Sequence, residues 1–181
     1  MASAQGSEFK EKLSLQLLQL CREKGLLPQG ELLQSPDMDQ MWQALAPEFL
    51  SEAVPEFNGY PEVVLAWAAY LGAAVAWGWD KDWDFFRSQD YAYLCGPRGF
   101  DYMDEYITSE ILGMPLESDG ARSLANAFRS LATAAYSALL HSGAEAGSAG
   151  AFTFAVDAMR VMYDLGAAIE LYALGYKWSQ Q

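Results

Sequence analysis

The side chains best able to do chemistry are concentrated in Arg98-Gly99-Phe100-Asp101-Tyr102-Met103-Asp104-Glu105-Tyr106. On a helix Asp101, Asp104 and Glu105 share one face, an arrangement suited to a divalent cation or to acid/base work. The same acids also suit a helix start. Asp101 is a natural N-cap, and Asp104 and Glu105 then lie in the first turn, where the helix dipole favours negative charge. Glu170 stands alone in the otherwise uncharged stretch Leu165–Tyr176. A carboxylate projecting from an apolar face has a raised pKa or a hydrogen-bond partner, so Glu170 joins the three acids as a catalytic candidate. Trp79, Trp83, Arg98 and Tyr102 are the candidate pocket side chains, because aromatics and a cation gather there beside acids.

Other chemistries are excluded by residue type. The chain has a single histidine, His141, and two cysteines, Cys21 and Cys95, so no Cys/His zinc set can be assembled. Asp80, Asp82 and Asp84 alternate like a calcium loop, but Phe85 stands where that loop needs glycine and Tyr91 where it needs glutamate. No serine sits in a nucleophile elbow, and the glycines of 143–150 lack the lysine of a phosphate loop. No cofactor is therefore expected. A magnesium site acting on phosphates would need a second acidic helix facing Asp101–Glu105, and no motif nominates one.

These residues must be positioned by helices. The stretch Tyr60–Phe86 has no charge between Val63 and Trp79, and a segment apolar on all sides belongs inside a protein or a bilayer. Its glycines, its short span and its lack of flanking cations favour a buried core helix over a membrane span. Around it the spacing predicts helices over about Ser7–Lys24, from Ser35-Pro36 onward with a kink or a new start at Pro47, over Phe100–Met114, from Ser118 or Asp119 to about His141, and over about Phe152–Lys177. Residues 1–6 are expected to be disordered, and the Gly/Ala/Ser stretch 142–150 to be a flexible loop. Sustained strand alternation is absent. The fold predicted is all-α, a single-domain bundle of five to seven helices spanning 1–181 around a central helix at about 60–80.

Composition narrows the partners. The chain of 181 residues carries 24 acids against 11 bases, a formal charge of −13. That balance argues against nucleic acid and against anionic membrane. Gly25 to Asp80 contains no Lys or Arg, so one region should be strongly negative, suited to a basic protein partner. No basic-then-apolar leader opens the sequence, and a cytoplasmic location is expected. Tyr60-Pro61-Glu62, Trp79-Asp80 and Gly99–Glu105 resemble a bacterial family of helical proteins, a resemblance that implies no activity. The leading expectation is a non-enzymatic protein-interaction or self-associating module. The alternative is a small carboxylate-site enzyme or ligand binder using 101–105.

Overall fold

A computed structural model of the chain describes residues 2–29 and 35–176, with side chains from Glu8 onward. The described residues form helices joined by turns and contain no strand. They are α1 (Ala2–Glu23), α2 (Pro36–Phe57), α3 (Pro61–Phe86), α4 (Tyr91–Cys95), α5 (Met103–Tyr106), α6 (Asp119–Leu140) and α7 (Ala149–Ala173). The architecture is an all-α bundle around α3, as the residue patterning predicts.

Helical backbone starts at Ala2, ahead of the Ser7 cap expected, and includes most of the segment expected to be disordered. The end of α1 follows the sequence signal. Gly25 has φ +73°, and Leu26 N–H reaches back to Cys21 O at 2.8 Å, so the last carbonyls find donors. The Ser35 hydroxyl caps α2 by accepting from Asp37 N–H at 3.2 Å, with Pro36 at the first helical position. The helix then runs through Pro47 and Pro55 as one element, so no second helix begins at Pro47. Both prolines are exposed, as are Gln43 and Ser51 four residues earlier. The carbonyls deprived of an N–H therefore lie on the solvent side, where water can serve them.

Helix α3 is long and apolar enough to cross a membrane, yet 72% of its most apolar window is buried inside the bundle. Its main neighbour is α7, and glycines set the closeness of that pair. A Cβ on Gly72 would lie 2.0 Å from Tyr163 O, and one on Gly166 2.0 Å from Ala69 O. Near its end α3 breaks at Asp82 (φ −163°, ψ 80°), whose carboxylate accepts from Phe85 N–H at 3.3 Å and caps a terminal turn. The turn folds the Phe86 ring over Gly78, filling the space a Cβ would occupy. The acidic, aromatic knot of 80–86 is thus a helix break with its own cap.

The predicted helix over 100–114 is more irregular than its spacing suggests. A 3-10 turn at Phe100–Tyr102 leads into α5, which widens into a π-helical turn at Ile107–Ile111. Met103, Ile107 and Ile111 are buried as expected. The wider turn also carries Thr108 inward, the buried polar residue of the core. Asp101 caps nothing, because the 3-10 turn starts after Gly99 and no side-chain cap is present. Ser118 and Ser148 cap α6 and α7 through Ala121 N–H and Ala151 N–H. Between those helices the loop 142–148 is pinned by Ser142 Oγ to Leu139 O and by Ser148 Oγ to Glu145 O.

Candidate functional site

The fold sends the acids of 101–105 in different directions. Asp101 is exposed. Glu105 pairs with Arg98 at 3.4 Å on the surface, and the Arg98 guanidinium lies 3.7 Å over the Tyr102 ring. Asp104 instead turns inward beside Tyr70 of α3, and burial above all pushes its carboxyl pKa up. Tyr70 is itself pushed up to about 12, by burial first and then by the Asp104 charge, with Arg129 opposing. Thr108, beside this tyrosine, also opposes the rise. Trp67 of α3 donates to Phe100 O at 2.6 Å and fixes the start of the segment. What remains is a packed seam, with one acid inside and two outside.

Trp79 and Glu170 belong to another part of the bundle. Trp79 lies nine residues beyond Tyr70, about 13 Å along the helix axis. Its indole N–H donates to Asp37 Oδ2 at 2.9 Å, and its ring packs against Tyr176, centroids 5.5 Å apart. Tyr176 in turn donates to Asp80 Oδ1 at 2.6 Å, which holds Asp80 below the usual carboxylate range. Trp83 packs half-buried against the core. Glu170 sits near Asp80 and Lys81, and its pKa is pushed up to about 7, by burial first, with Asp80 adding and Lys81 opposing.

A pH prediction follows from Glu170. Its folded-state pKa lies above the unfolded value of 4.5, so between the two the folded chain holds a proton that the unfolded chain releases. Stability contributed by this group is therefore complete below about pH 4.5 and is lost as pH rises through about 7. Urea midpoints of wild type and Glu170→Gln at pH 5 and pH 7.5 should show a steeper loss in the wild type. Equal losses would remove Glu170 as the titrating group.

Among the described residues no three His, Cys, Asp or Glu side chains gather to hold a metal ion. The two thiols are free and buried. Burial pushes Cys21 up to about 12 and also raises Cys95, so neither is an activated nucleophile. His141, at the end of α6, donates from Nδ1 to Ser137 O at 2.8 Å, the dipole-end role its position predicts.

Several acids of the cation-free region are occupied by internal donors. Asp37 receives Trp79 and Glu52 receives the Tyr91 hydroxyl at 2.8 Å. Glu62 receives the Thr133 hydroxyl at 3.2 Å, and Asp39 pairs with Arg160. Glu31 lies outside the described residues. Much of this acidity therefore fastens α2 and α3 to their neighbours.

Two features go beyond the residues singled out from sequence. Arg160 of α7 donates from Nε to Asp164 at 3.0 Å and pairs through Nη2 with Asp39 of α2, beside the rings of Trp42 and Tyr163. Burial works against its charge, but the two aspartates outweigh that and hold its pKa above the ordinary value. With Lys10 of α1 it lines a polar cleft of about 530 Å³. Arg160 and Asp164 stand four residues apart on one helix, whereas Asp39 is distant in the chain and only the fold supplies it.

The second feature is an apolar groove of about 410 Å³. Val54 and Phe57 of α2, Pro61 of α3, Leu139 and Leu140 of α6, and Phe152 and Val156 of α7 line it. Leu140 is 64% exposed and Phe152 53%. Tyr60, next to Pro61, is 63% exposed. The loop 142–148 forms one wall, and across that loop lies a further cleft of about 680 Å³, where Phe9 stacks on Phe154 at 4.5 Å. Residues from four helices make the groove, so no local pattern announces it.

No family model matches the chain, and no curated protein or solved structure is significantly similar to it.

Proposed function

We propose that this chain is a non-enzymatic protein-interaction module that receives an apolar anchor from a basic partner protein in the groove between α2, α6 and α7. The observation that carries this reading is the groove itself. Large side chains, Leu140 and Phe152, stand more than half exposed on its walls. Large apolar side chains exposed around one concavity offer places for an anchor to pack, whereas singly scattered ones need no explanation. The carboxylate-enzyme reading draws no comparable support, since Asp101, Asp104 and Glu105 face solvent, Tyr70 and Arg98 respectively.

A displayed peptide library panned on the wild-type protein tests this without a known partner. The selected peptides should bind the double variant Leu140→Ser, Phe152→Ser at least about tenfold more weakly, the effect of removing central apolar anchors. Unchanged thermal stability of the variant would show that the loss is not unfolding. Selection of peptides indifferent to these substitutions would contradict the proposal.

A further inference from the structure

We infer that the segment received by the groove is an amphipathic α-helix with basic flanks; this deepens the protein-binding reading above and rests on it. Secondary structure comes first. Every described element is a helix or a turn, so there is no open strand edge among them for an extended peptide to join. An extended segment laid against Val54, Phe57, Leu140 and Phe152 would leave most of its own N–H and C=O groups unpaired, since Asn58, Tyr136, Ser142 and Ser148 are the polar side chains that line the groove. A helix satisfies those groups internally and presents side chains at i, i+3, i+4 and i+7 to the groove.

Charge selects the flanks. No Lys or Arg lines the groove. None occurs from Gly25 to Trp79 or from Ser130 to Met159, the two stretches that supply every lining residue. The acids that adjoin lining positions in the chain are Glu56, Glu62 and Glu145. Asp157 adjoins Val156, and Lys10 partly offsets the burial that raises its carboxyl. The segments that line the groove carry acids and no bases, which favours a basic helix, whereas a second copy of the chain would bring the same acidic segments together. The net charge of −13 adds to that repulsion.

The test uses fluorescence anisotropy with three labelled peptides of about 18 residues, long enough to form a helix on binding. One carries leucines at i, i+3, i+4 and i+7 with lysines elsewhere, one has glutamates in place of the lysines, and one scrambles the Leu/Lys sequence. The Leu/Lys helix should bind the wild type, about tenfold more weakly to Leu140→Ser, Phe152→Ser, and about tenfold more weakly to the triple variant Glu56→Gln, Glu62→Gln, Glu145→Gln. Equal binding of the Leu/Glu helix through Phe152 would overturn the basic-partner inference while leaving the groove a protein-binding site. Equal binding of the scrambled peptide would overturn it as mere charge attraction. Absence of peptide binding, with a wild-type dimer that Phe152→Ser dissociates, would replace the helix by a second copy. Absence of peptide binding with library binders that ignore Phe152 would remove the groove reading as well.

Discussion

Replacing Gly72 by alanine should cost about 3 kcal/mol of stability, read as a lowered urea midpoint at unchanged slope. Alanine normally gains about 1 kcal/mol over glycine inside a helix, so the sign of the outcome is diagnostic. The added methyl would lie 2.0 Å from Tyr163 O, 2.8 Å from its carbonyl carbon and 3.0 Å from Ala167 N. These are backbone atoms of α7, and no side chain can rotate out of the way. The two helices must separate, and the close approach of Ala69 to Gly166 loosens with them. Gly166→Ala should behave alike, because its methyl would meet Ala69 O at 2.0 Å. The double variant should cost less than the sum, since helices already parted for one methyl have room for the other. Gly59→Ala is the control. Its nearest neighbour would be Glu56 O at 3.9 Å, so stability should change by no more than about 0.5 kcal/mol. A stabilised Gly72→Ala would mean that α3 and α7 do not meet at this distance.

Arg160→Met should be the second large effect, a loss of about 2 kcal/mol at pH 7. Breaking a fully buried ion pair costs about 3–5 kcal/mol. The lower figure applies because the Asp39 carboxylate is 56% exposed while the Arg160 side chain is only 16% exposed. Methionine retains the stem that packs near Trp42 and Tyr163, so the difference isolates the charge. What remains is Asp164, whose pKa burial already raises. Without the guanidinium it rises further, and a raised carboxyl destabilises as pH climbs through its folded value. The loss should therefore shrink toward pH 4. Asp39→Asn, at the exposed end of the network, should cost less than about 1 kcal/mol. Equal stability of Arg160→Met and wild type at both pH values would reduce the network to a surface ornament.

The helices were legible in the sequence because their signals are local. Ser35-Pro36, Ser118 and Gly25 mark ends through hydrogen bonds made within a few residues. The uncharged run of α3 required a buried position, and its glycines required close neighbours. What could not be read there depends on partners far away in the chain. The 101–105 spacing was sound for a regular helix, but the 3-10 start takes Asp101 out of the register of α5 and leaves it in solvent, while Asp104 lies beside Tyr70. Glu170 was identifiable as an acid in apolar surroundings; its neighbours Asp80 and Lys81 were not. The groove needed the ends of α2, α6 and α7 brought to one place, and nothing in Leu140 or Phe152 alone predicts their meeting.

The groove, and not the acidic seam at 98–111, is the proposed working surface. Amide chemical-shift mapping with the tightest library peptide tests it most directly. Shifts should concentrate at 54–61 and 136–159, the segments that wall the groove. Shifts concentrated at 98–111 and at Tyr70, with the groove amides unmoved, would contradict it.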